Sequence, residues 1–497
     1  MRLKILLAIG SGLLMGLAPA PGGMWYLAWI ALIPLWVLLS QEKKFNPLIS
    51  LAWGAGYHGL AISWITGIHP MTWLGIDWWS SLAIALVCWL FLTACGSTLV
   101  LIWSGGMYYL QSISAPPWLK VLGGTAIWCG LEYLWSLTPF WWSYLAYTQS
   151  PANLIILQLS QFSGHATITA ILVAVNGLFA EAYLNRGRSY WVVIALMLAL
   201  SLHGWGWWLY RTPDEQIARK SVNIGVIQGN IPNEIKLYSS GWSQAMTGYL
   251  EGYQNLAKQG VDIVLTPETA LPFFLINQDY ASEALSQAIL SQKVPIWVGT
   301  FARQNHRLTN TLLTINSSGE IYSRYDKVNL VPLGEYIPFE GILGSWINRL
   351  SPLEARLVAG EPNQLLDTPI GRVAVGICYD SAFAEHFRRQ TAQGAQLIIS
   401  AANNAHYSNS MLAQHHALDV MRGIENDRNL ARATNTGYSA FIDHRGRTLW
   451  RSKLNTYELH AQTLDLRDSR TLYVRWGDWL TLLLLGLTLA GITRIIY

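Results

Sequence analysis

The stretch "VAVGICYDSAF", residues 373–383, decides how the second half of this chain is read. Val373, Ala374, Val375, Gly376 and Ile377 form an apolar, small-residue run of the kind that makes a strand buried on both faces. Cys378 follows it, and Asp380 comes two positions later. Alone, a cysteine at the end of a buried strand is more often a packing residue than a nucleophile. The chain's other cysteines, Cys88, Cys95 and Cys129, all lie in long apolar runs. With no CxxC spacing, the four make neither a disulfide framework nor a zinc site. Cys378 alone stands in the polar half, so the sequence around it has to settle its role.

The composition is that of a membrane protein. Of 497 residues, 52% are hydrophobic, 12% are charged and 25 are Trp. An ordinary soluble domain carries about twice that share of charge. Residues 1–210 are dominated by apolar runs, residues 219–470 resemble a globular domain, and the last 20 are apolar again. The net charge of +4 is small for this length and gives no reason to expect nucleic acid as a partner. No metal or other cofactor is expected.

A helix crosses the bilayer core with about 20 apolar residues. Eight runs qualify or nearly so, at 4–20, 24–40, 49–67, 80–103, 117–137, 153–184, 189–210 and 475–493. The first, with its basic start and "APAP" end, has features of a signal peptide. A second run follows almost at once, which favours a helical hairpin. Basic residues mark the cytoplasmic side of short loops. Arg2, Lys4, Lys43, Lys44, Lys120, Arg186, Arg188 and Arg494 fall in alternate loops, so one orientation satisfies them all. Both termini are then cytoplasmic, and the domain between runs seven and eight is extracytoplasmic. The expected organisation is seven transmembrane helices in 1–212, an α/β domain in 219–470 and a last transmembrane helix in 475–497.

Two outer loops, "WITGIHPMTWLGIDWW" (64–79) and "TPFWWSYLAYTQ" (138–149), are rich in aromatic residues. They read either as an interfacial belt or as a lipid-binding vestibule. Glu132 lies inside run five and His165 inside run six. Ionisable groups at membrane depth are candidates for function, and hydrogen bonding between helices accounts for them equally well.

Within 219–470, strand-like runs recur at 222–228, 261–266, 294–301, 311–315, 372–378, 396–402 and 438–443. "INSSGEIYSRYDK" and "IDHRGRTLWRS" read as hairpins, and helical stretches fall at 242–260, 281–292 and 413–431. Helices interleaved with buried strands predict a layered α/β domain, two sheets sandwiched between helices.

Three segments carry possible chemistry. In "LTPETALPF" Glu268 follows a strand end, where α/β folds put their sites. In "SRYDKVNLVPLGEYIPF" Lys327 ends a hairpin strand and Glu335 sits in the loop beyond. The third is Cys378. Singly, each charge reads as a solvated surface residue. Together they supply what acyl transfer needs: a thiolate to attack a carbonyl, a carboxylate to take the thiol proton, and a cation for the oxyanion. A carboxylate base working near pH 7 calls for a raised pKa, which burial at a strand end supplies.

In order and spacing, the PE strand end, the lysine with its "P-x-GE" loop, and the "G-x-x-CY-[DE]" strand end resemble the nitrilase superfamily. With the flanking helices, the chain resembles the apolipoprotein N-acyltransferase family along essentially its whole length. "IQGNIP" (227–232), "VPLGEYIPF" (331–339), "ICY" (377–379), "RNLARATNTGYSAFIDHRGR" (428–447) and "TGIH" (66–69) carry that resemblance. It implies a bundle of eight transmembrane helices with an extracytoplasmic α-β-β-α sandwich, in a cell inner membrane. It also implies ping-pong acyl transfer. A phospholipid acyl donor esterifies the cysteine as a thioester, and the amino group of a diacylglyceryl apolipoprotein acceptor then takes the acyl chain. By the same resemblance Glu268 is the general base, Lys327 stabilises the oxyanion and Cys378 is the nucleophile. Glu335, Tyr379 and Asp380 support them. The protein is expected to act as a monomer.

Both substrates are lipid-anchored, so apolar loops such as "LPFFLI" (271–276), with Phe273 and Phe274, and "FEGILGSWINRL" (339–350) are candidate membrane-facing arms or simply loops packed on the domain. Glu132, His69 and Leu237 join Phe273 and Phe274 as candidate lipid-proximal residues. Four positions depart from the family's pattern. Asp380 stands where the family usually has Glu. Leu237 stands where Trp is frequent, with Tyr238 or Trp242 as possible replacements. The family's "SNDxWF" reads "AANNAHY" here, putting Asn404 and His406 in place of Asp and Trp. A membrane-anchored amidase or hydrolase using water as acceptor is the alternative reading. A non-enzymatic membrane protein with a relic domain is a third.

Overall fold

The computed structural model describes residues 1–185, 190–213, 220–273, 280–338 and 357–496. The chain forms two compact units. One comprises Met1–His69, Trp78–Pro213 and Thr471–Tyr497, and the other Pro70–Asp77 and Asp214–Arg470.

The first unit is helical. Its helices are α1 (Arg2–Gly16), α2 (Ile33–Ser40), α3 (Pro47–Ala61), α4 (Trp78–Ser112), α5 (Pro117–Ser136), α6 (Leu154–Leu157), α7 (Ser160–Ser163), α8 (His165–Leu184), α9 (Tyr190–Arg211), α15 (Leu472–Trp476) and α16 (Trp479–Ile496). By length and apolarity, α4, α8, α9 and α16 can cross a membrane. The first run forms α1 and packs on α3, where a Cβ on Gly12 would lie 2.2 Å from the Trp53 carbonyl oxygen. Small residues let helix backbones approach in this way.

Runs two and six are broken rather than continuous. Run two is a short 3-10 turn (Trp25–Trp29) followed by α2, which starts at a proline. Its freed backbone groups find partners on other helices. The Asn176 amide accepts from Leu32 N at 3.0 Å and donates to Ala28 O at 3.0 Å, while Trp53 Nε1 donates to Ala31 O at 3.1 Å. Irregular backbone at membrane depth is tolerated where protein groups satisfy it. In run six, Gly164 with φ +66° separates α7 from α8, so His165 opens a helix instead of lying inside one.

The second unit has two six-stranded sheets. Their strands are β1 (Ser221–Gln228), β2 (Ile263–Leu265), β3 (Ile296–Gln304), β4 (Arg307–Ile315), β5 (Ile321–Asp326), β6 (Leu366–Thr368), β7 (Gly371–Ile377), β8 (Leu397–Ala402), β9 (Leu430–Thr434), β10 (Ala440–Ile442), β11 (Thr448–Arg451) and β12 (Glu458–Asp465). The orders are β12-β1-β2-β3-β4-β5 and β11-β10-β9-β8-β7-β6. Parallel pairs, β1 with β2, β2 with β3, β7 with β8 and β8 with β9, form the middle of each sheet. Val222, Ile224 and Val226 alternate along β1 into a core shared with Val373, Val375, Ile399 and Ala431 of the other sheet. The outer face of the first sheet packs on α11 (Ser239–Lys258) and α12 (Tyr280–Gln292). Tyr249, Tyr253 and Leu256 form the buried stripe of α11. α13 (Ala384–Ala392) and α14 (Asn409–Asn426) complete the unit with the short α10 (Asn233–Lys236). The expected two-sheet α/β sandwich is present.

One expected boundary is wrong. The helix expected over 413–431 ends at Asn426, where Asp427 takes a left-handed conformation with φ +51°, and residues 430–434 become β9. The charged "RNLAR" stretch disguises a central strand. Arg432 is fully buried and paired with Asp419 at 3.0 Å, and the buried Arg428 donates to Ala395 O at 2.7 Å.

Candidate active site

β7 ends at Ile377, and Cys378 opens a tight 3-10 turn, Cys378–Ala382. Cys378 has φ +51°, in the left-handed region that costs a non-glycine residue roughly 1–2 kcal/mol. Such strain persists only where surrounding structure imposes it, and it clusters at functional sites. Here Asp380 imposes it. Its Oδ2 accepts from Ile377 N at 3.0 Å, and its Oδ1 accepts from both Asn329 N and Asn329 Nδ2 at 2.8 Å. Cys378 is 5% exposed, with Sγ 3.9 Å from Asn404 Oδ1.

Glu268 lies three residues beyond β2. The turn that carries it crosses β3 closely: a Cβ on Gly299 would come 2.0 Å from the Pro267 carbonyl oxygen. Every group around the Glu268 carboxylate is a donor. Oε1 receives Lys327 Nζ at 3.0 Å and Asn310 Nδ2 at 2.7 Å, and Oε2 receives Asn403 N at 2.7 Å. Lys327 follows β5 directly. Its N–H bonds to Asn310 O and its carbonyl accepts from Gly360 N, both at 2.8 Å. Its ammonium, 1% exposed, also donates to Glu335 at 3.0 Å. Glu335 is itself held by Val331 N at 2.7 Å.

The electrostatics correct one expectation. Burial does push the Glu268 carboxyl upward, but Lys327 and Lys236, with the hydrogen bonds from Lys327 and Asn310, outweigh it, and the net pKa is lowered. Burial works against the Lys327 ammonium too. Glu268 and Glu335 overcome it and hold Lys327 firmly protonated. Burial and then the Glu268 charge push the Cys378 thiol up, with Lys327 pulling it back. At rest the site therefore holds a carboxylate, an ammonium and a neutral thiol.

Of the other residues singled out in the sequence, Tyr379 stacks edge-on to Phe383 at 5.3 Å. Leu237, half-buried, caps α10, Tyr238 is exposed, and Trp242 packs on the buried Phe273 at 5.4 Å. Phe274 and residues 339–350 lie outside the described residues, as do Arg186 and Arg188. His406, half-buried on Tyr407, has its pKa lowered to about 4 by burial, with Glu268 pulling the other way. In the helical unit, Glu132 is 2% exposed and receives Trp128 Nε1 at 3.2 Å, Leu145 N at 2.8 Å and Thr169 Oγ1 at 2.7 Å. It ties α5 to α8 and to the loop that follows α5. His69 pairs with Ser81 Oγ at 2.8 Å, and His165 lies against Tyr144 at 4.4 Å. Among the described residues no cluster of three His, Cys, Asp or Glu side chains is arranged to hold a metal.

Sequence reasoning missed Asn310 and Lys236, and took Asn329, Asn403 and Asn435 only as parts of longer segments. Asn435 Oδ1 receives Ile231 N at 2.8 Å, and its amide donates to Ile231 O at 2.7 Å and to Asn403 Oδ1 at 3.0 Å. The "IQGNIP" and "ATNTG" segments therefore meet beside Glu268. A polar Asn310 directly before the apolar run "TLLTI" (311–315) was one signal available.

A two-sheet α/β sandwich with a cysteine on a strained strand-end turn defines the class. The family model for the carbon-nitrogen hydrolases matches residues 223–473. A second model, the apolipoprotein N-acyltransferase N-terminal domain, matches residues 11–178. The apolipoprotein N-acyltransferase of Nostoc sp. is 53% identical over 96% of this chain and 96% of its own length. That of Synechocystis sp. is 48% identical over 95% and 96%. Among solved structures, an amidase from Nesterenkonia sp. aligns with a TM-score of 0.39 at 20% identity, over 53% of this chain and 96% of the amidase. The chain belongs to the apolipoprotein N-acyltransferase family, and its second unit carries the carbon-nitrogen hydrolase match.

Proposed function

We propose that the protein moves a fatty acyl chain from a membrane phospholipid to the α-amino group of the S-diacylglyceryl cysteine of apolipoproteins, through a thioester on Cys378. The observation that carries this reading is the buried Lys327 ammonium, shared at 3.0 Å by Glu268 and Glu335, in a site that also holds a neutral thiol on a strained turn.

In the first half-reaction Glu268 takes the Cys378 proton as sulfur attacks the ester carbonyl carbon. The oxyanion that forms draws on the Lys327 ammonium. As Lys327 turns from Glu268 to the oxyanion, the carboxyl loses its strongest stabilising charge and becomes a better base at the moment the proton moves. The C–O bond then breaks, and the proton passes from Glu268 to the lysophospholipid oxygen. In the second half-reaction the neutral amine attacks the thioester. Glu268 takes an amine proton and returns it to sulfur as the C–S bond breaks. Glu335 holds Lys327 between turns, and Asp380 fixes the Cys378 turn.

The proposed organisation is seven membrane spans in 1–212, a catalytic domain in 219–470 and an eighth span in 475–497. The basic residues in alternate loops support cytoplasmic termini and an extracytoplasmic catalytic domain. The test is to incubate the full chain with phospholipid and a diacylglyceryl peptide. Acyl-peptide is expected, and none from Cys378→Ser. Free fatty acid without acyl-peptide favours a hydrolase instead.

A further inference from the structure

Lys236 takes no part in the roles proposed above. It is the last residue of α10, 2% exposed, and its Nζ donates to the main-chain carbonyl of Glu268 at 2.9 Å. Among the described residues no carboxylate forms an ion pair with it. A buried ammonium without a counter-ion is costly, and its position beside the base at this site asks for a reason.

The surrounding hydrogen bonds fix that position. Asn403 N holds the Glu268 carboxylate at 2.7 Å, and Asn435 joins Asn403 to Ile231. Five residues after Ile231, the chain delivers Lys236 to the carbonyl of the same Glu268. Glu268 is thus gripped at both ends by one closed circuit, independent of Lys327. Lys236 interacts electrostatically with both Glu268 and Cys378. The charged and titratable groups around Glu268 are Lys327 after β5, Glu335 in the following loop, Cys378 on its turn, His406 and Tyr407 after β8, and Lys236.

Resting on the acyl-transfer reading, we propose that Lys236 is a positioning residue for the base: it anchors Glu268 through its carbonyl and supplies the second positive charge beside its carboxylate. Burial lowers the pKa of Lys236 itself to about 7, with Glu268 opposing, so the amine carries its charge wherever Glu268 titrates.

The test is single-turnover formation of the Cys378 thioester, followed by intact-protein mass spectrometry across pH with phosphatidylethanolamine as donor. The full chain is compared with Lys236→Met, Lys236→Gln and Lys236→Arg. In the Met and Gln variants the acid limb is expected to move up by about one pH unit, with half-saturation by donor unchanged. Arg keeps the wild-type limb. Gln retains a donor for the Glu268 carbonyl, so it reads the charge even if Met fails to fold. An acid limb unmoved in a folded neutral variant overturns the inference, whatever happens to rate or melting temperature. Wild-type protein that forms no thioester overturns the acyl-transfer reading instead.

Discussion

Asp380 Oδ1 receives both the main-chain N–H and the side-chain amide of Asn329, each at 2.8 Å. Asn329 lies two residues after Lys327, and Asp380 two residues after Cys378. One fully buried carboxylate therefore sets the turn that presents the thiol against the loop that presents the ammonium.

Asp380→Ala leaves the buried Ile377 N without an acceptor and frees both half-buried Asn329 donors. A loss of about 2–4 kcal/mol is expected, read as a lower melting temperature, with thioester formation falling at least about tenfold. Asp380→Glu retains the charge but adds a methylene at a fully buried position. It is expected to cost about 1–3 kcal/mol and to keep part of the activity.

Lys327→Met leaves Glu268 and Glu335 facing each other without their shared cation. Breaking a buried ion pair in this way costs about 3–5 kcal/mol. Lys327 holds the Glu268 pKa down, so the stabilisation it provides is present above the usual carboxylate pKa and is lost as pH falls through the lowered one. The gap in melting temperature between wild type and Lys327→Met is therefore expected to narrow on acidification. A gap constant from neutral to acid pH contradicts the pairing.

Lys236 gives a pH effect of the same direction in a higher pH range. Its folded pKa of about 7 lies below the ordinary lysine value of 10.5, so between those values the unfolded chain binds more protons. The penalty of burying the charge is full below the lower value and fades as pH rises toward the upper one. Relative to Lys236→Met, wild-type melting temperature is expected to gain between pH 7 and pH 10. Parallel curves contradict it.

In the helical unit, all three groups on Glu132 are donors, from Trp128, Leu145 and Thr169. Glu132→Ala removes the acceptor of all three. A loss of about 1–3 kcal/mol is expected, with faster proteolysis in the loop after α5, whose Leu145 N–H loses its acceptor. Unchanged cleavage there contradicts an anchoring role for Glu132.

Much of this was legible in the sequence because strands and their ends are local. Glu268, Lys327 and Cys378 were each expected at or just beyond a strand, and each lies directly after one or within a short turn of it. What stayed hidden depends on distance along the chain. Lys236 meets Glu268 across 32 residues, Asn403 meets it across 135, and Asn435 meets Ile231 across 204. No periodicity encodes such contacts, and α10, only four residues long, carries no helical pattern. β9 was hidden because its arginines are paired inside the fold. β12, an edge strand of mostly half-exposed polar residues, carries only the short alternation of Leu459 and Ala461. The break in run two is met by Asn176, from another helix, and the break in run six falls at Gly164 with its positive φ. The direction of the Glu268 pKa was misjudged because burial was weighed without the direct Lys327 contact, to which Lys236 adds.

The central claim is a covalent acyl-enzyme at Cys378 that stands between two separate half-reactions. The direct measurement loads the purified full chain with a phospholipid carrying a labelled acyl chain, removes all donor, and then adds a diacylglyceryl peptide. Peptide mapping before the chase should find one labelled thioester, on Cys378, and the chase should move the label to the peptide amine. Label on any other residue, or transfer that requires phospholipid and peptide together, contradicts the account.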